Sequence, residues 1–66
     1  MQYDFRKIKE ARIRRRLTQT ELAQRCGLTA AAISYIEQGR GPWLKAIREI
    51  EAVLGIRNVI KERESA

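Results

Sequence analysis

The sequence predicts an all-α fold, a compact bundle of four to five short helices. Its apolar residues recur mostly at three- and four-residue spacing and do not alternate, which is the pattern of helices that bury one face. The glycines at positions 27, 39 and 55 each follow such a stretch, and glycine is a common residue at a helix end. We therefore expect short helices separated by tight turns.

The chain of 66 residues is one small domain with a correspondingly small core. Its single cysteine has no partner for an internal disulfide, and a chain without histidine offers few zinc ligands, so no metal or other cofactor is expected. We assign residues 1–56 to the folded domain and 57–66 to a short C-terminal tail. In the tail, Val59 and Ile60 are expected to pack on the core, pair as a short strand, belong to a fifth helix or contribute to a dimer contact.

The first two helices are predicted over residues 4–15 and 19–26. Asp4 suits the N-cap of helix 1, and the inward face of this helix carries Phe5, Ile8 and Arg12, with Ile13 beside them. Helix 2 begins with a capping box, in which the Thr18 side chain accepts from the Glu21 amide and Glu21 reaches back to the Thr18 amide. Its inner face is expected to hold Leu22, Ala23 and Cys26.

The next two helices are predicted over residues 30–38 and from Pro42 to about Leu54. Thr29 is the expected N-cap of helix 3, whose inner side carries Ile33, Ile36 and Glu37. The opposite side of helix 3 carries Ala31, Ser34, Tyr35 and Gln38. The apolar stripe of helix 4 consists of Trp43, Ile47, Ile50 and Leu54.

Helices 2 and 3 together have the properties of a helix-turn-helix. Two helices that cross closely need a small contact residue, which Ala23 provides, and the turn needs the positive φ that Gly27 adopts at little cost. The net charge is +6, and half of the 14 Lys and Arg residues lie before Leu17. A helix-turn-helix in a basic chain favours double-stranded DNA as the partner, with helix 3 in the major groove.

Arg12 and Glu37 are charged residues on otherwise apolar helix faces, and we predict that they form an ion pair between helices 1 and 3. Their role is structural, like those of Ala23 and Gly27, because removal of one partner would leave an unpaired charge in a partly buried place. Cys26 is expected to be a small core residue, since nothing near it predicts the exposure that a reactive thiol needs.

Other classes of protein fit the sequence less well. There is no histidine, no cysteine beside a base and no phosphate-binding glycine loop, so we do not expect an enzyme. No apolar run approaches the ~20 residues that span a bilayer, so a cytoplasmic protein without a membrane partner is expected. Two alternatives to a stand-alone regulator stay open. One is an antitoxin or mobile-element maintenance protein that binds DNA and a protein partner, and the other is an interaction module that has lost DNA binding.

Two segments carry a family resemblance, Leu17-Thr18-Gln19-Thr20-Glu21-Leu22-Ala23 through Gly27 and Ile33-Ser34-Tyr35-Ile36-Glu37-Gln38-Gly39-Arg40. They resemble the Cro and phage-repressor type of helix-turn-helix, the xenobiotic-response-element family, and Leu54-Gly55-Ile56 resembles the end of that domain. The resemblance covers about residues 8–56. It implies a lambda-repressor-like DNA-binding domain that regulates transcription from palindromic operators, here as a repressor and a homodimer on DNA.

The resemblance also implies which residues meet the DNA. The first residue of helix 2 and the start of helix 3 should contact bases, through Gln19, Thr29, Ala30, Ala31, Ser34 and Tyr35. Phosphate contacts are expected from residues that flank the motif: Arg14, Arg15, Arg16, Gln38, Arg40 and Lys45. The alanines offer only methyl contact, so specificity is expected to be modest or to depend on Gln19, Gln38 and DNA shape.

Overall fold

The computed structural model describes residues 2–41, 44–57 and 59–61. In these ranges the chain forms helices α1 (Phe5–Arg14), α2 (Gln19–Cys26), α3 (Ala30–Glu37) and α4 (Leu44–Leu54). Two strands of two residues each, β1 (Gln2–Tyr3) and β2 (Ile60–Lys61), join the chain ends. The predicted all-α class is confirmed, and the predicted bounds agree with the helices to within a residue wherever the chain is described. Pro42 and Trp43, expected in the first turn of α4, lie outside the described residues.

The helices begin at the predicted capping residues. The Asp4 carboxylate accepts from the Lys7 amide at 3.2 Å, and the Thr29 hydroxyl accepts from the Ala32 amide at 3.1 Å. The capping box of α2 is complete, because the Glu21 amide donates to Thr18 Oγ1 at 3.0 Å and the Thr18 amide donates to Glu21 Oε1 at 2.8 Å. These bonds satisfy amides that the helices themselves leave without partners.

All four of these helices end in the same way, with one residue in the left-handed conformation. Glycine fills this position after α2, α3 and α4, where φ is +70° at Gly27, +76° at Gly39 and +67° at Gly55. After α1 the residue is Arg16, with φ +58°. The Arg16 amide donates to the Ile13 carbonyl at 2.8 Å, and the Leu17 amide donates to the Arg12 carbonyl at 3.1 Å, which is the Schellman pattern. The sequence did not predict this use of an arginine.

The core lies between the four helices and under the terminal strands. Its fully buried large side chains are Ile8, Leu22, Ile33, Ile36, Ile47, Ile50, Leu54 and Val59. The expectation that Ile13 lies beside the inward face of α1 is wrong, because this side chain is 55% exposed. Ile13 follows Ile8 by five residues, which at ~100° per residue places it well round the helix from the core. Ala11 fills the inward position instead.

The C-terminal tail forms a strand and not a fifth helix over its described residues. Tyr3 pairs with Ile60 and Gln2 with Lys61 in an antiparallel arrangement. The Asp4 amide donates to the Val59 carbonyl at 2.6 Å, and the Val59 amide donates to the Glu51 carboxylate at 3.0 Å. These bonds hold the segment extended, with Val59 buried in the core and Ile60 paired with Tyr3 in the strand. Asn58 and residues 62–66 lie outside the described part of the tail.

Candidate nucleic-acid interface

The helix-turn-helix is formed by α2, the turn at Gly27 and α3. Leu22 and Ala23 on α2 are buried, and Ile33 and Ile36 on α3 are fully buried. A Cβ atom at Gly27 would meet nothing within 4 Å, so glycine is required there for its positive φ and not for space.

The outward side of α3 is open over its first two turns. Thr29, Ala31 and Tyr35 are exposed, whereas Ala30 and Ser34 are half-buried. The Thr29 hydroxyl oxygen caps the helix through one lone pair, and this leaves its O–H donor to point elsewhere. These side chains are small or polar, apart from the aromatic ring of Tyr35.

The predicted ion pair between α1 and α3 is present and belongs to a larger network. Arg12 Nε lies 2.6 Å from Glu37 Oε2, and Arg12 Nη2 donates to Glu37 Oε1 at 3.2 Å. Their side chains are only 11% and 3% exposed. Arg12 Nη1 also donates to the Leu17 carbonyl at 2.8 Å, so the guanidinium ties the α1–α2 connection to the end of α3.

Gln19 joins this network, and no pattern in the sequence indicates that it does. Its Nε2 donates to Glu37 Oε1 at 3.1 Å, and the side chain is part-buried. One amide hydrogen is thus used inside the protein, and the second is left to point away from Glu37. Glu37 therefore orients a side chain at the first residue of α2 as well as neutralising Arg12.

The last turn of α3 carries two pairs of side chains. Gln38 Nε2 donates to the Ser34 hydroxyl at 3.0 Å. The Arg40 guanidinium lies over the ring of Tyr35, 5.7 Å from the ring centre, at a distance typical of cation–π contact. Each contact restricts the rotamers of the two side chains that it joins.

The basic side chains expected to meet phosphates are exposed, but they do not all lie in one place. Arg14, Arg16, Arg40 and Lys45 are exposed around the motif. The Arg15 guanidinium instead lies beside Gly55, since a Cβ there would be 3.1 Å from its Nη2. That position is the carboxyl end of α4, where the helix dipole attracts a cation. Lys7 is also engaged within the protein, because its Nζ donates to the Arg57 carbonyl at 2.6 Å.

Two ionisable groups near the motif have shifted pKa values. Hydrogen bonds from the backbone and then the side chain of Thr18 lower the pKa of Glu21, with a smaller contribution from Arg25. Burial raises the pKa of the Cys26 thiol, and the nearby Glu49 carboxylate raises it further. A buried thiol that stays protonated is unreactive, in agreement with its expected place in the core.

The described residues contain no cluster of three or more Cys, Asp or Glu side chains that could hold a metal ion. None of the described helices is long and apolar enough to span a bilayer.

A family model described as helix-turn-helix matches residues 8–57 of the chain. The matched region begins within α1 and ends just after α4, so it includes the whole surface described above. Comparison with curated proteins and with solved structures found no match.

Proposed function

The chain belongs to the helix-turn-helix family of the Cro and phage-repressor type, a family of DNA-binding domains that regulate transcription, and we propose that it binds a specific double-stranded sequence as a repressor. In this proposal α3 enters the major groove with its outward side against the base edges. The observation that carries it is the division of α3 into two sides. Ile33 and Ile36 are fully buried, whereas Ala31 and Tyr35 on the opposite side are exposed, and the Arg40 guanidinium lies over the Tyr35 ring.

The proposed base contacts come from Gln19, Thr29, Ala30, Ala31, Ser34 and Tyr35. Alanine methyl groups discriminate mainly by contact with thymine methyls, whereas Ser34 and Tyr35 offer hydroxyl groups to several base edges. Gln19 has one amide hydrogen bound to Glu37, so its second hydrogen and its carbonyl oxygen are the groups that meet DNA. Because this side of α3 lacks an arginine or asparagine that could grip one base with two bonds, DNA shape contributes to the selectivity.

The proposed phosphate contacts come from Arg14, Arg15, Arg16, Gln38, Arg40 and Lys45. Among these, Arg40 is supported most directly, since its guanidinium is held over Tyr35 at the exposed end of α3. Arg15 would have to leave the carboxyl end of α4 to reach a phosphate. We therefore expect Arg40 to contribute more than Arg15 to affinity and to its dependence on salt.

We further propose that the protein acts in the cytoplasm as a homodimer on DNA, with one copy on each half of a palindrome. One copy of α3 reads only a few base pairs, which discriminates weakly among the competing sites of a genome. Two copies related by a twofold axis read two half-sites about one helical turn apart. Repression then follows when the bound dimer covers a promoter.

The experiment that tests this function is selection of bound duplexes from a random pool at physiological salt. Enrichment of a palindrome with half-sites about 34 Å apart is the expected result. No enrichment, with binding that disappears as salt rises, would leave only nonspecific attraction to phosphates and would favour a protein partner.

A pair of matched variants tests the orientation of α3 on the selected duplex. Ala31→Glu and Ala52→Glu make the same change of side chain and charge at two exposed helical positions, one on α3 and one on α4. A carboxylate against the base edges and phosphates should abolish binding by the first variant, whereas the second should bind nearly as the wild type does. Equal loss in both variants would contradict the proposed orientation.

A further inference from the structure

We infer that Tyr3 is a positioning residue of the DNA interface, and this inference rests on the function proposed above. The Tyr3 hydroxyl donates to the Ile36 carbonyl at 2.7 Å and accepts from the Gly41 amide at 3.4 Å. One oxygen atom thus joins the last turn of α3 to the connection that leads to α4. Tyr3 lies far from the helix-turn-helix in sequence and outside the region that matches the family.

The segment between these two bonds carries Arg40. Ile36 and Gly41 at its ends are buried, whereas Arg40 is exposed and lies over Tyr35. The Arg40 amide also donates to the Tyr35 carbonyl at 3.1 Å. With both ends held by the Tyr3 hydroxyl, the direction in which Arg40 leaves the surface is fixed.

Tyr3 is itself held in place by the terminal sheet and by the ring of Phe5. It pairs with Ile60 in the terminal sheet, and the adjacent Asp4 amide donates to the Val59 carbonyl at 2.6 Å. Its ring meets the edge of the Phe5 ring, with 6.1 Å between centres. Phe5 packs so closely on Gly39 that a Cβ there would lie 2.8 Å from the Phe5 ring. The paired chain ends therefore brace the segment from Ile36 to Gly41 through two aromatic rings.

A hydroxyl that only adds stability would have a different effect from one that positions Arg40. Loss of stability lowers the melting temperature but leaves the bound complex of the surviving folded protein unchanged. Misplacement of Arg40 removes a phosphate contact, and each such contact contributes about 0.9 to the slope of log affinity against log salt. The salt slope therefore separates the two roles.

The first test measures affinity for the selected duplex across a range of salt. Tyr3→Phe keeps the ring, and we expect affinity about fivefold weaker at physiological salt, as for one lost hydrogen bond, with a salt slope smaller by about one. In an Arg40→Gln background the same substitution should have little further effect, because the group that it positions is gone. The inference would be overturned if Tyr3→Phe left the salt slope unchanged. It would also be overturned if the affinity losses of Tyr3→Phe and Arg40→Gln simply added in the double variant.

Ile50→Val is the matched control. It removes one methyl group from the core in α4, adds no charge and changes neither the Tyr3 hydroxyl nor the paired chain ends. Its melting temperature should fall about as far as that of Tyr3→Phe, while its affinity and salt slope, measured well below melting, should match the wild type. An equal loss of slope in this control would assign the effect to stability alone.

A second test needs no DNA and separates failure of the inference from failure of the proposed function. Hydrogen exchange of the Gly41 amide in the free protein should be faster in Tyr3→Phe than in Ile50→Val, relative to the global stability of each variant. Unchanged protection at Gly41 would overturn the inference whether or not the protein binds DNA. Faster exchange would support the brace even if the wild type selects no duplex, a result that would reject only the proposed function.

Discussion

At the scale of single residues, Arg16 stands where the other described helices end with glycine. Its φ of +58° is a conformation that glycine adopts freely and that costs a residue with a Cβ roughly 1 kcal/mol. The neighbouring bonds of the Schellman motif are formed despite this cost. A residue retained in an unfavourable conformation suggests that its side chain has a use, and Arg16 is one of the proposed phosphate contacts.

Arg16→Gly is therefore expected to stabilise the protein by about 0.5 kcal/mol, because relief of the left-handed backbone exceeds the entropy that glycine adds to the unfolded chain. The same variant should bind the selected duplex more weakly. Arg14→Gly is the control, since it loses the same charge but places glycine in the last turn of α1, where it should cost up to about 1 kcal/mol. Denaturant unfolding measures the free energy of unfolding of both variants. Destabilisation by Arg16→Gly would contradict this prediction.

The buried ion pair gives a second prediction at this scale. Arg12→Gln leaves the Glu37 carboxylate, whose side chain is 3% exposed, without its cation, and should cost about 3 kcal/mol. Arg48→Gln removes the same charge from a pair at 3.6 Å whose arginine side chain is 60% exposed, and should cost under about 1 kcal/mol. The free energy of unfolding of both variants is the measurement. Similar small losses would mean that water still reaches the Arg12–Glu37 pair.

At the scale of helices and strands, the features that the sequence predicted are those specified within a few residues. Thr18 and Glu21 close a capping box three residues apart, and Gly27 ends α2 through its own φ. The Arg12–Glu37 pair is a longer-range feature that could also be predicted, because two charged residues stand on otherwise apolar helix faces. The pairing of β1 with β2 and the hydroxyl of Tyr3 join parts of the chain that are distant in sequence. No local pattern at Gln2 or Tyr3 indicates those partners.

In the candidate site as well, the residues that could be foreseen are those that a local pattern specifies. The outward side of α3 follows from helical periodicity, so Ala31, Ser34 and Tyr35 could be chosen from sequence. The bond from Gln19 to Glu37 depends on how α2 crosses α3 in space, and the sequence carries no separate signal for it. The place of the Arg15 side chain at the end of α4 likewise depends on tertiary packing.

The capping box gives a pH-dependent prediction for α2. The pKa of Glu21 is lowered in the folded protein, so its stabilising effect is present above the unfolded pKa and is lost as pH falls through the folded pKa. Glu21→Gln keeps an oxygen that can accept from the Thr18 amide but does not ionise. The wild type should therefore exceed the variant in stability near neutral pH, and the difference should shrink in acid. If the difference in free energy of unfolding between the two proteins stays constant as pH falls, the Glu21 charge does not stabilise α2.

At the scale of the whole molecule, the terminal sheet uses residues outside the matched helices to complete the domain. Val59 is fully buried, and the β1–β2 pairing holds the N-terminal segment beside the end of α3. In the proposed dimer, these braced copies of α3 must be separated by about one turn of DNA. Affinity should then depend on the presence, spacing and order of both half-sites.

Duplexes with one half-site, two half-sites at the selected spacing, and two half-sites moved apart by about half a helical turn test the dimer. Only the second duplex should bind tightly, because the shift places the second half-site on the opposite face of DNA and beyond the partner's α3. Light scattering of the complexes should give two protein chains on the second duplex. Equal affinity per half-site on all three duplexes, with independent occupancy, would mean that monomers read DNA separately and that the dimer proposal is wrong.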